Sequence, residues 1–217
     1  MKKCIILANG KPPAKGVINF LYKKNYSTLI CADGGANSAK KLGISPDYII
    51  GDFDSVSKST LNFFKSKTKL IKLYRQNDTD VEKCLKFVIN EKFEDVVLLG
   101  VTGNRLDHTF CNLGIVIKFH KKINLRLIAE DSLLIPFSGR VKLKTISGEI
   151  ISLYGLDKKT KITSTGLKYP LKNISLPFGE KESTSNVAVG NEINLTIKGG
   201  IIFTIRDFNI IKQYGLF

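Results

Sequence analysis

The chain has 217 residues, 43% of them hydrophobic and 24% charged, with a mean hydropathy of zero. These values exclude a disordered tail and a fibre, and the length suits one large domain or two small ones. A formal net charge of +15 invites a nucleic-acid reading, but the lysines are scattered as singles and pairs without an arginine-rich block. A solvated basic surface, or one that draws an anionic small molecule, is expected instead.

At the N-terminus "MKKCIILANG" sets two lysines before only five apolar residues, Cys4 to Ala8, too short a run for a signal-peptide core. No apolar stretch approaches the ~20 residues of a membrane-spanning helix, and a cytoplasmic protein is expected. Apolar runs then alternate with helical patterns, giving strands near residues 4–8, 28–32, 48–50, 69–73, 95–99 and 125–129. Strands separated by helices predict an α/β domain with a mainly parallel sheet. "NSAKKLG" predicts a short helix closed by Gly43. "TDVEKCLKFVINEKF" predicts a longer one, with Val81, Cys84, Leu85, Val88 and Ile89 on one stripe and a Thr79/Glu82 capping box. A third helix is predicted from about Leu106 to Phe119, with Leu106, Phe110, Leu113 and Ile117 on its buried face.

After "SLLIPFSG" the texture changes to strand-length segments separated by Gly, Pro and Asn turns, with "KGG" at 198–200 reading as a hairpin turn. The expected division is an α/β domain over 1–137 and an all-β sandwich over 138–217. Cys4, Cys31, Cys84 and Cys111 have apolar neighbours and no metal-ligand spacing, and buried reduced thiols are expected.

The acidic residues carry the functional signal. Asp33, Asp52 with Asp54, Asp80, and Asp107 in "GVTGNRLDH" all fall where strands give way to loops, the carboxyl edge at which open parallel sheets bind ligands. Asp52 and Asp54, two apart in extended chain, would point to one side and face one hard cation, and carboxylates with few other ligands suit Mg²⁺ completed by a polyphosphate. "ADGGAN" and "GVTGN" would place unobstructed backbone N–H groups for phosphate, and Arg105 could clamp one, with a surface ion pair to Asp107 as the plain alternative. His108 and His120 read as a capping and a helix-end residue.

"ADGGAN", "PDYIIGDFDS", "NDTDVEKCL", "GVTGNRLDH", "TSTGLKYPL" and "STSN", in that order over residues 32 to 205, resemble the thiamine pyrophosphokinase family. The resemblance implies an α/β domain, a β-sandwich, and a homodimer with active sites shared between subunits. It also implies transfer of the diphosphate of ATP to the hydroxyl of thiamine, with thiamine diphosphate and AMP as products and no nucleic-acid or membrane partner. Carried onto this chain, Asp52, Asp54 and Asp80 would hold Mg²⁺. Asp33, Gly34, Gly35 and Asn37 would lie along the nucleotide. Thr102, Gly103, Asn104, Arg105 and Asp107 would position the phosphates and the attacking end of thiamine, with Asp107 the candidate base. Ser183, Ser185 and Asn186 would bind thiamine, with Tyr169 and Phe203 standing in for family tryptophans that this chain lacks. Two rival readings are a metal-dependent nucleotide-sugar glycosyltransferase, which leaves "NDTD" and "STSN" idle, and a basic RNA-binding module.

Overall fold

A computed structural model describes residues 1–74, 77–103 and 105–217. The chain divides into two compact units, Met1–Glu130 and Asp131–Phe217.

The first unit alternates strands and helices: β1 (Lys3–Leu7), α1 (Lys15–Lys23), β2 (Thr28–Ala32), α2 (Gly35–Leu42), β3 (Tyr48–Gly51), α3 (Lys58–Phe64), β4 (Lys69–Lys72), α4 (Asp80–Asn90), β5 (Asp95–Leu99), α5 (Leu106–Phe119) and β6 (Asn124–Ala129). The strands pair in parallel in the order β6-β5-β1-β2-β3-β4. Strand order reverses between β1 and β5, and a crevice opens at such a switch point. All five residues of β5 and the last four of β1 and β2 are buried. Helices cover both faces of a parallel sheet, so its central strands read as continuous apolar runs rather than alternating ones.

Local signals explain the helix ends. Gly43 closes α2 in the left-handed conformation, and Thr79 caps α4 by accepting the Glu82 N–H at 3.2 Å. Only this half of the capping box forms, because the Glu82 carboxylate turns to Lys118 and Lys86. The expected face of α5 is corrected: Asn112, Ile115, Val116 and Phe119 are the buried residues, whereas Leu106 and Phe110 are 69% and 59% exposed. Helix α5 is apolar on more than one side, so periodicity alone could not choose the face packed on the sheet. Cys111 on this helix is also exposed, against expectation, while Cys4, Cys31 and Cys84 are buried.

The second unit holds β7 (Ser132–Lys144), β8 (Ile150–Gly155), β9 (Lys161–Thr165), β10 (Ser183–Val187), β11 (Glu192–Asp207) and a short terminal helix α6 (Phe208–Gln213). The long strand β11 pairs with β7 along both halves, with β9 through Asn194–Lys198 and with β8 through Ile202–Arg206. It thereby serves two leaves, which close over Ile151, Leu153, Ile162, Leu167, Leu195 and Ile202. Gly199 and Gly200 do not form a hairpin turn. They lie inside β11 where its register to β7 shifts, and Gly199 has φ +84° with a Cβ position only 2.8 Å from Lys159 O. A glycine bulge bends one strand there instead of ending it. The expected boundary at residue 138 falls inside β7, which pairs with β11 on both sides of that point and lies in the second unit. Helix α6, capped by Asp207, was not foreseen in the β-rich texture.

Candidate active site

The carboxyl ends of β1, β2, β3 and β5 and the N-terminus of α4 line a cleft of about 630 Å³. Asp33 follows β2, Asp52 follows β3 and Asp80 opens α4. One carboxylate oxygen from each lies within 4.8 Å of the others. Gly51 is what lets β3 come so close, since a Cβ there would sit 2.7 Å from the Asp33 Cβ. Gly34 and Gly35 serve similar approaches, to Asn9 and to the Leu7 carbonyl.

Asp54, expected to face one cation with Asp52, lies outside this group of three but stays within hydrogen-bonding reach of Asp52. Phe53 has φ +67°, a left-handed bend that breaks the strand alternation. Asp54 is exposed, accepts the Ser55 hydroxyl at 2.8 Å, and stays within hydrogen-bonding reach of Asp33. The hydrogen bond from Ser55, then that from Asp33, lowers the Asp54 carboxyl. Burial pushes Asp33 the other way, to about 6, despite the Ser55 and Val56 N–H groups at 3.1 and 3.2 Å. Two carboxyl groups that close compete for a proton, and burial makes Asp33 the readier of the two to take it up as the pH falls toward about 6.

Lys83 was missed in the sequence because a lysine one turn into a helix looks like a solvated residue. Its side chain is 3% exposed, and its ammonium lies 2.9 Å from Asp80 Oδ1 and 3.4 Å from Asp52 Oδ2. Burial alone would lower its pKa, but the hydrogen bond and charge of Asp80, then of Asp52, raise it. The other oxygen of Asp52, Oδ1, is buried without a hydrogen-bond partner among the described residues. An orphaned hard oxygen among three carboxylates fits a divalent cation such as Mg²⁺.

Asn37 points its amide at the loop after β3, donating to Ser55 O at 3.0 Å and accepting from Ser57 N at 3.1 Å. It shapes the Asp52–Ser57 loop. Asn9 and Gly10, not singled out in the sequence, line the cleft, with Gly10 N donating to Gly100 O and Lys11 N to Thr102 O. Thr102 lines the cleft and Gly103 adjoins it, with φ +131°. Asn104 lies outside the described residues. Arg105 and Asp107 form an exposed two-point pair, and the guanidinium holds the Asp107 carboxyl well below the usual carboxylate range. Both line the cleft, as does exposed His108. His120 ends α5 with Nδ1 2.8 Å from Ile117 O.

In the second unit, Ser183, Ser185 and Asn186 lie on β10. Ser185 is exposed with φ +54°, an uncommon backbone for serine that clusters at functional sites. Asn186 is 1% exposed and is bonded to the backbone of Tyr169, whose ring is 59% exposed. Phe203, in the middle of β11, is only 6% exposed and offers a ligand little surface.

An α/β unit gathers carboxylates at its switch-point edge, where open parallel sheets bind ligands, and a β unit with an exposed polar strand follows it. Comparison with known proteins is specific. The thiamin pyrophosphokinase catalytic domain matches residues 21–128, and the vitamin B1 binding domain of the same family matches 136–202. The chain is 29% identical to thiamin pyrophosphokinase 1 of Caenorhabditis elegans over 97% of its own length and 91% of the relative's. It is 27% identical to the thiamine pyrophosphokinase of Bacillus subtilis over 95% and 99%. The crystal structure of that Bacillus subtilis protein superposes with a TM-score of 0.79 at 25% identity, over 94% of this chain and 99% of the other. The chain belongs to the thiamin pyrophosphokinase family.

Proposed function

We propose that the chain is an ATP-dependent thiamine pyrophosphokinase that uses Mg²⁺. The thiamine hydroxyl oxygen forms a bond to the β-phosphorus of ATP and the bond between the α-phosphate and β-phosphorus breaks. AMP leaves, and the hydroxyl proton passes to a base or to solvent. The observation that carries this reading is the convergence of Asp33, Asp52 and Asp80 within 4.8 Å at the cleft.

Asp52 and Asp80 would hold the cation, with Asp33 completing the cluster and Asp54 beside it. Bound there, Mg²⁺ would gather and neutralise the phosphate oxygens, the main requirement of phosphoryl-type transfer. Lys83 offsets the carboxylate charge from the buried side, so the cluster stays compact. Thr102 and Gly103 would offer the loop after β5 to the phosphates, and Arg105 retains N–H donors for them beyond its pair with Asp107. Held by Arg105, Asp107 is a weak proton acceptor and serves better to orient the guanidinium. The β10 face with Ser183, Ser185 and Tyr169 suits a cationic aromatic substrate.

We further read the enzyme as a homodimer that takes its acid cluster from one subunit and its β10 face from the other. The exposed Leu106 and Phe110 on α5 support burial against another surface. Among the described residues no helix is long and apolar enough to cross a membrane, in keeping with a cytoplasmic enzyme.

The test mixes protein, ATP, Mg²⁺ and thiamine and separates the nucleotides. AMP appearing with thiamine diphosphate, dependent on both metal and thiamine, is expected. ADP as product, or no turnover, would overturn the reading. Gel filtration is expected to give about twice the 24.1 kDa chain mass, and a monomer would remove the shared site.

A further inference from the structure

Asn186 ends the "STSN" motif and reads from sequence as a substrate ligand, yet its side chain has nothing left to offer. Oδ1 accepts from Tyr169 N at 3.1 Å and from Val187 N at 2.9 Å. Nδ2 donates to Tyr169 O at 2.8 Å and to Ser183 Oγ at 3.1 Å. An amide has two acceptor and two donor positions, and all four are filled inside the unit. Two of the four bonds grip both backbone groups of a single residue. The same segment is held again by Lys168 N donating to Val187 O at 2.8 Å and by the bridge between Leu167 and Ala188.

What this clamp presents is an aromatic ring. Tyr169 is 59% exposed although its backbone is fixed from both sides, and the Lys168 ammonium lies 5.5 Å from the ring centroid. The ring face thus already accepts a cation. Holding a large aromatic in water forgoes the stabilisation of burying it, which is understandable if a ligand completes the burial.

We propose that Asn186 is a positioning residue: it does not touch substrate, but fixes the Tyr169 ring as the platform for the cationic ring of thiamine. The inference rests on the pyrophosphokinase reading. Its test uses the full chain with Mg²⁺, ATP and thiamine. Asn186→Ala and Tyr169→Ala are each expected to raise the KM for thiamine about 10-fold, with the KM for ATP within about 2-fold of wild type. The double variant should be little worse than the poorer single one, because both changes remove the same platform. Multiplying effects, or an unchanged thiamine KM in Asn186→Ala, would overturn the proposal. If Asn186→Ala fails to fold, Asn186→Asp keeps the acceptor toward Tyr169 N, sets a carboxylate oxygen against Tyr169 O, and faces the same criteria.

A binding readout separates this from activity. The chain has no tryptophan, so Tyr169→Trp creates a single indole whose emission thiamine should quench. Wild-type turnover without that quenching sinks the platform alone. No thiamine turnover or binding in the wild type sinks both readings.

Discussion

Lys83 and Asp80, three residues apart on α4, form an ion pair of 2.9 Å in which the lysine side chain is almost wholly buried and the aspartate is one-third exposed. The lysine also reaches Asp52 at 3.4 Å. It is a built-in counter-ion for carboxylates gathered from separate loops. Lys83→Met should therefore destabilise the metal-free protein by on the order of 2 kcal/mol, less than for a fully buried pair because the aspartates see water. For a chain of this length that is a fall in Tm of about 4–8 °C. Thermal denaturation with and without Mg²⁺ checks it, since the cation should restore most of the loss. An unchanged metal-free Tm would refute the counter-ion role.

Asp80→Asn keeps size and one acceptor oxygen for Lys83 but removes a charge from the cluster. Turnover should fall about 100-fold or more, with Tm changed by only a few degrees. Steady-state assay beside thermal denaturation separates the two effects. An active Asp80→Asn enzyme would count against the metal assignment.

The raised Asp33 carboxyl gives a pH signature. Its folded value of about 6 exceeds the ordinary 3.8, so the folded chain binds this proton more tightly than the unfolded one. The associated stabilisation is complete below pH 3.8 and is lost as the pH rises through about 6. Without metal, Tm of the wild type should drop relative to Asp33→Asn between about pH 4 and 6. A divalent cation should compete with that proton, so Mn²⁺ binding near pH 6 should release about half a proton per site, and more as the pH falls toward about 5, measurable by calorimetry in buffers of different ionisation enthalpy. Proton-independent binding would remove Asp33 from the cluster.

Gly51→Ala tests the close approach of β3 to Asp33. The new Cβ would meet the Asp33 Cβ at 2.7 Å, and with backbone on both sides Asp33 must shift. A loss of activity of about 10-fold or more is expected, since displacements near 1 Å disrupt positioning, together with weaker Mn²⁺ binding. Wild-type kinetics would show that the cluster tolerates movement of Asp33.

The sequence by itself determined the alternation of strands and helices in the first unit, its six strands to within a residue or so at each end, and the strand-end segments bearing Asp33, Asp52, Asp80 and Asp107, because apolar runs and turn residues are local signals. It also determined the motif set that marks the family. Only the tertiary structure decided what each side chain faces. The left-handed bend at Phe53 interrupts the strand alternation between Asp52 and Asp54, and Asp33 and Asp80, from separate segments, join Asp52 in the trio. The glycines in "KGG" became a bulge because β7 continues alongside β11 on both sides of them. Helix α5 left Leu106 and Phe110 exposed because another of its apolar faces met the sheet. In a string of letters Lys83 looks like a surface residue and Asn186 like a substrate ligand, since charge and hydrogen-bonding capacity are local properties. Whether such a group is buried and partnered depends on residues tens of positions away, which only the folded chain brings together.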